Sequence, residues 1–272
     1  MSYQKKDYNV YFANTSCDYQ FTDGDKSGVK SDRTISYKSI KYRSGLFTKS
    51  VEYEVYYDES RKVIEVNFEQ TNGILDWFVN FDYPDSYYDS FDTEFGKIKL
   101  RVHHGWNKMY KACKNAVRNE VIQLLNEHQD CVDIDIIGWS LGSGIAQLCL
   151  QDLSYILSNW DEFNNINIVE RNYKLRLYTF GTVKPFFYIN SKTKKYLSSL
   201  GDEIHMFGDV NDVVTYVPPF IHWHTINHVT SVDYRKKNFK VSPIELFKPL
   251  TYHTHYNSDD ELYYKNTRLR DI

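Results

Sequence analysis

Gly138-Trp139-Ser140-Leu141-Gly142 is the segment of this 272-residue chain whose residue types and spacing could do chemistry. A serine between two glycines, spaced Gly-x-Ser-x-Gly, suits a nucleophile that attacks a carbonyl carbon. Five residues recur by chance, so the flanking segments must decide. Ile134-Asp135-Ile136-Ile137 before the motif reads as a strand, and Leu141 to Leu157 after it reads as a helix. That order is what a nucleophile at a sharp strand-to-helix turn requires. Glycines at 138, 142 and 144 would let strand and helix approach closely. The helix N-terminus would turn backbone N–H groups toward a developing negative charge.

A serine hydroxyl is a poor nucleophile near neutral pH and needs a histidine base and an orienting carboxylate. In this arrangement the acid and then the histidine follow the serine in the chain. Downstream carboxylates at a strand end are Asp209 and Asp212. Downstream histidines are His205, His222, His224, His228, His253 and His255. Spacing does not choose among them.

The elements that must position these groups follow from hydrophobic periodicity. Val51 to Val55, Val63 to Phe68 and Ile98 to Val102 alternate as strands. Trp106, Met109, Tyr110, Cys113, Val117, Val121 and Leu124 fall at helical spacing. Val132 to Ile137, Tyr173 to Phe180 and Glu203 to Phe207 read as further strands. Thr225 to Tyr234 and Phe239 to Val241 suggest a hairpin, followed by a short helix near Glu261. Strands alternating with helices predict one α/β domain, residues 35–272, around a largely parallel sheet. Residues 1–34 are polar and read as an N-terminal extension with room for one docked strand.

Composition narrows the function classes. Hydrophobic residues make up 42% of the chain, enough for a substantial core, and 24 Tyr and 16 Phe supply ring surface. A formal net charge of −3 and a pI near 6.3 predict no nucleic-acid partner. Arg235-Lys236-Lys237 reads as a solvated turn. Cys17, Cys113, Cys131 and Cys149 have neither metal-ligand nor paired spacing. His222, His224 and His228 lack a nearby Cys or carboxylate to complete a metal site. His103 and His104 read as a strand end. No metal or cofactor is expected. No secretory signal or membrane-spanning run is evident, so a cytoplasmic protein is the expectation.

The ordered motifs resemble those of the class 3 (fungal-type) lipase family, over roughly Val51 to Tyr256. The elbow Gly138-Trp139-Ser140-Leu141-Gly142-Ser143-Gly144-Ile145-Ala146 is similar to the family's Gly-His-Ser-Leu-Gly-Gly and the Ala-Leu-Ala that follows. Val102-His103-His104-Gly105-Trp106 resembles its Val-His-x-Gly-Phe. Phe68-Glu69-Gln70-Thr71 with Asp76-Trp77 resembles its Phe-Arg-Gly-Thr/Ser with the later Asp/Asn-Trp. Tyr178-Thr179-Phe180-Gly181 is similar to its Thr-Phe-Gly strand end. Asp212-Val213-Val214-Thr215-Tyr216-Val217-Pro218-Pro219 is similar to Asp-Ile-Val-Pro-x-Leu-Pro-Pro. His253-Thr254-His255-Tyr256 resembles its closing His-x-x-Tyr.

The resemblance implies an α/β-hydrolase fold, with a mostly parallel central sheet flanked by helices in a single domain. It implies a carboxylic ester hydrolase in which Ser140 is the nucleophile, Asp212 the acid and His253 the base, with His255 as the alternative base. Thr71 and Leu141 would form the oxyanion hole. Trp77 would belong to a lid spanning Asn72 to Asn80, and Trp139 to the pocket wall. The expected partner is a lipid or small ester, with transient contact to a membrane surface; the residues do not indicate an oligomeric state. Phospholipase or acyltransferase chemistry on the same triad is the alternative, and a non-catalytic binding protein of this fold is the other. Three positions depart from the family pattern. Trp139 stands where its histidine is, Glu69-Gln70 replaces Arg-Gly, and Thr182-Val183-Lys184-Pro185 replaces a Gly-x-Pro-Arg-x-Gly loop.

Overall fold

A computed structural model describes residues 27–30, 33–44, 47–69, 85–159, 173–187, 189–209, 212–216, 218, 222–223, 230–232 and 264–265. Strands β1 (Ser27–Lys30) and β2 (Arg33–Ser36) pair with each other as an antiparallel hairpin. β3 (Lys38–Ser44), β4 (Phe47–Asp58) and β5 (Val63–Phe68) follow as an antiparallel meander. β6 (Asp85–Phe91) and β7 (Ile98–His103) lead into helix α1 (His104–Glu127). β8 (Asp133–Trp139) leads through Ser140 into helix α2 (Leu141–Ser158). Next come β9 (Lys174–Phe180), β10 (Phe186–Phe187), helix α3 (Ser191–Ser198) and β11 (Glu203–Asp209). β12 (His222–Trp223), β13 (Thr230–Val232) and β14 (Tyr264–Lys265) complete the described elements.

The central sheet has eight strands in the order β14-β13-β11-β9-β8-β5-β4-β3. Its inner run β5-β8-β9-β11-β13 is parallel, and the antiparallel pairs lie toward its two edges. The α/β domain with a largely parallel sheet that the alternating pattern predicts is therefore observed, in the architecture that the family resemblance implies. A second, four-stranded sheet runs β12-β10-β7-β6.

Side-chain alternation gives the central sheet two different faces. Ile64, Val66, Phe68, Ile134, Ile136, Leu175 and Leu177 join the helical residues Trp106, Met109, Cys113, Val117, Ile145, Leu148 and Leu153 in one buried cluster. The alternate positions carry buried polar groups. Arg176 grips Asp135 through Nε (2.6 Å) and Nη2 (2.9 Å), and Tyr56 donates its hydroxyl to Glu65 at 2.6 Å. Buried carboxylates persist where such donors meet them.

Helices α1 and α2 are locked together by Asp152, which is fully buried. Arg118 meets both of its oxygens, Lys114 lies 3.0 Å away, and Tyr110 donates its hydroxyl at 2.9 Å. Removing one cation leaves the carboxylate partly compensated, because Lys114 and Tyr110 remain. Arg118→Met is expected to lower unfolding stability by about 2 kcal/mol, measured by urea titration. A change within 0.5 kcal/mol would mean that Asp152 needs no second cation.

Several elements depart from the sequence pattern. The described antiparallel partner of Thr230–Val232 is Tyr264–Lys265, and its other edge pairs in parallel with β11. Phe239 to Val241, expected as the hairpin partner, and the helix expected near Glu261 lie outside the described residues. β3 and β6 were not legible as strands. β3 is an edge strand whose Ile40 and Tyr42 are only partly buried, and β6 carries a register shift between Tyr87 and Asp89 that breaks its alternation.

Candidate active site

Five parallel strands end at one edge of the sheet, and the register shows what they deliver there. Phe68 pairs with Gly138, Trp139 with Phe180, Phe180 with Phe207, and Asp209 with Val232. Glu69, Ser140, Thr182 and Asp212 thus all lie at or just beyond the carboxyl ends of neighbouring strands. Open α/β sheets place ligands along this edge.

Ser140 is the N-cap of α2 and has φ 55° and ψ −120°, a backbone conformation that L residues rarely adopt. Strain of this kind costs about 1–3 kcal/mol and persists only where the surroundings fix it. Ser140 N–H donates to the Phe180 carbonyl at 2.9 Å, and the Ser140 carbonyl accepts from Ser143 N–H at 3.0 Å. The side chain is almost fully buried, at 2% exposure.

The turn is tight enough that its glycines are obligatory. A Cβ on Gly138 would lie 2.4 Å from the Gly142 oxygen. One on Gly142 would lie 2.4 Å from the Phe68 oxygen and 3.0 Å from that of Glu69. The end of β5 is therefore pressed against the first turn of α2, beside Leu141. Trp106 closes the other side: its indole N–H donates to the Leu141 carbonyl at 3.1 Å, and Gly144 leaves room for its ring. His103 caps α1, its Nδ1 accepting from Gly105 N–H at 3.2 Å, and packs edge-on against Trp106.

Asp212 is fully buried and opens a 3-10 turn, Val213–Tyr216. Its Oδ1 accepts from Val214 N–H at 2.9 Å, and its carbonyl accepts from the Thr215 hydroxyl at 2.7 Å. These bonds fix the carboxylate two strands away from Ser140, along the same edge. Trp139 is buried directly before Ser140, level with Phe180, whose ring stacks on Phe207 at 5.2 Å. Thr71, Trp77, the lid segment 72–80, His253 and His255 lie outside the described residues. The strand ends that flank residues 233–263, Val232 and Tyr264, pair with each other beside Asp209, at the edge that carries Ser140.

Matching this geometry, the family model for lipase (class 3) covers residues 66–222, more than half of the chain. The chain belongs to the class 3 lipase family. No curated protein matches it. Among solved structures, a Penicillium expansum triacylglycerol lipase has 15% identity and a TM-score of 0.57, over 83% of this chain and 78% of that one. A triacylglycerol lipase whose catalytic centre is formed by a serine protease triad has 20% identity and a TM-score of 0.55, over 83% and 77%. At these identities the likeness concerns the fold. The chain spans 57% of the length of the Rhizomucor miehei lipase propeptide complex that it also matches.

Cys113, Cys131 and Cys149 are free and buried. Burial pushes the Cys113 thiol up to about 12 and raises Cys149 well above its ordinary value, so neither supplies a thiolate. Among the described residues, no group of three or more His, Cys, Asp or Glu could hold a metal ion. No described helix is long and apolar enough to cross a membrane.

The sequence reading missed the polar groups that brace the elbow from behind. Ser143, Gln147 and Thr182 are fully buried and hydrogen-bonded at the base of the Ser140 turn. The available signal was Gln147 itself, a polar residue one helical turn after Ser143 and set between the apolar pairs Ile145-Ala146 and Leu148-Cys149.

Proposed function

We propose that the protein is a serine carboxylic ester hydrolase acting on lipid acyl esters through an acyl-enzyme on Ser140. The observation that carries this reading is Ser140 at positive φ in a buried strand-to-helix turn, with the fixed carboxylate of Asp212 on the same sheet edge. In the proposed reaction Ser140 Oγ attacks the ester carbonyl while His253 takes its proton. Asp212 orients the imidazole and stabilises the imidazolium that forms. Leu141 N–H, at the start of α2, and Thr71 N–H, two residues beyond Glu69, stabilise the oxyanion. The alcohol leaves with the proton from His253, and water then attacks the acyl-enzyme by the same route in reverse.

The contact between the end of β5 and Gly142 supports the oxyanion assignment, because it brings the start of the Glu69–Thr71 segment beside Leu141. The lipidic substrate class rests on family membership and on the aromatic residues Trp139, Phe180 and Phe207 at this edge. Contact with a lipid surface belongs to the same reading. Buried free thiols suit a reducing compartment, and we read the protein as cytoplasmic.

A fluorophosphonate probe tests the reaction class. The wild-type protein is expected to take up one label, located on the peptide containing Ser140 by mass spectrometry. It should also hydrolyse p-nitrophenyl esters with a rising preference for longer acyl chains. Absence of both labelling and hydrolysis would return the chain to the non-catalytic reading. Adding glycerol or methanol as acceptor separates hydrolase from acyltransferase, since only the latter forms mainly transfer product.

A further inference from the structure

The loop after β9, residues 181–185, meets β11, the turn that Asp212 opens, the start of α1 and the first turns of α2. Thr182 donates both its N–H (3.3 Å) and its hydroxyl (3.0 Å) to the Phe207 carbonyl on β11, the strand that leads to Asp212. Lys184 Nζ lies over the Tyr216 ring, 5.7 Å from its centroid, in the turn that Asp212 opens. The Pro185 carbonyl accepts from His103 N–H at 2.9 Å, where β7 gives way to α1. Val183, between them, is held by α2: its N–H donates to Ser143 Oγ at 3.1 Å, and its carbonyl accepts from the Gln147 amide at 2.9 Å.

Ser143 is the joint between this loop and the nucleophile. Its hydroxyl donates to the Ser140 carbonyl while accepting from Val183 N–H. A hydroxyl has one proton to give, so these two bonds together fix its rotamer. Gln147 Nε2 also donates to the Ser143 carbonyl at 3.2 Å, which ties loop and helix from one side chain.

We propose that Ser143 is a positioning residue for Ser140. Its hydroxyl holds the strained Ser140 backbone against loop 181–185, and through that loop in register with Asp212. The proposal rests on Ser140 being the nucleophile. The strain supplies the physical reason: a residue at φ 55° and ψ −120° relaxes when its restraints are removed, and the hydroxyl would move with it. A displacement of about 1 Å between reacting groups can cost about a hundredfold in rate.

Ser143→Ala removes the joint without adding bulk. It is expected to lower kcat for p-nitrophenyl butyrate by about ten- to a hundredfold, with KM changed less than twofold. The rate of fluorophosphonate labelling should fall in parallel. Ser143→Thr keeps the hydroxyl and should restore kcat to within about threefold of wild type. Should Ser143→Ala fail to fold, Gln147→Met removes the bond to the Val183 carbonyl, and a threefold or greater loss of kcat is expected, on the order of a single neutral hydrogen bond. A folded Ser143→Ala protein with kcat within twofold of wild type overturns the proposal, whatever its melting temperature. So does unaltered kcat in Gln147→Met. Lack of labelling and turnover in the wild type would instead overturn the Ser140 reading.

Discussion

Ser140→Ala is expected to lose ester turnover by about 10⁵-fold or more and to take up no fluorophosphonate, because nucleophile and base work as one unit. His253→Ala should fall by a similar factor, and the double variant should be little worse than either single one. His255→Ala should retain most of its activity, and an active His253→Ala protein would transfer the base to His255. Stability separates this loss from misfolding. Alanine inherits the φ 55° backbone of Ser140 unchanged, so Ser140→Ala should melt near the wild-type temperature. Ser140→Gly relieves the strain and should gain about 1 kcal/mol while being just as inactive. A glycine variant that melts no higher than the alanine variant would show that the elbow stores no strain.

Gly142→Val is expected to be the most destabilising single change in the described core, costing more than about 4 kcal/mol and yielding little soluble protein. The reason is what a side chain at 142 meets. The nearest atoms are the backbone oxygens of Phe68 and Glu69, held in the sheet by pairing of Phe68 with Tyr53 and Gly138 and by Glu69 N–H on the Glu52 carbonyl. Backbone in a central strand cannot swing aside as a side-chain tip can. At Gly144 the obstacle is the Trp106 ring, so Gly144→Ala combined with Trp106→Phe should be tolerated better than Gly144→Ala alone. Urea unfolding of the soluble variants and recovery after expression measure both. Wild-type yield and stability for Gly142→Val would mean that β5 and α2 do not touch.

The two expectations share one physical origin. A nucleophile at a turn this sharp needs a strained serine, and the strain is sustained only if glycines let β5, β8 and α2 close around it. Stability and activity therefore pull in opposite directions at position 140 and in the same direction at 142.

Much of this was written in the chain itself. Alternation in Val63–Phe68 and Ile98–His103, the helical stripe from Trp106 to Val121, and the apolar run before Gly138 specify strand or helix by local burial, which a linear pattern records. Ser140 was singled out by a short motif whose glycines encode a backbone shape, whereas Asp212 was preferred to Asp209 only through the resemblance to the class 3 lipase family. Tertiary structure alone decided that Glu69, Ser140, loop 181–185 and Asp212 share an edge, since parallel pairing joins Phe68 to Gly138, Trp139 to Phe180 and Phe180 to Phe207 across long stretches of chain. It also decided that Asp152 is a buried carboxylate held by Arg118 and Lys114, and that Ser143 and Gln147 brace the turn at Ser140. No periodicity marks a polar side chain whose partner comes from another strand or loop. The Gly-x-Ser-x-Gly pattern singles out Ser140; the folded contacts hold it in place.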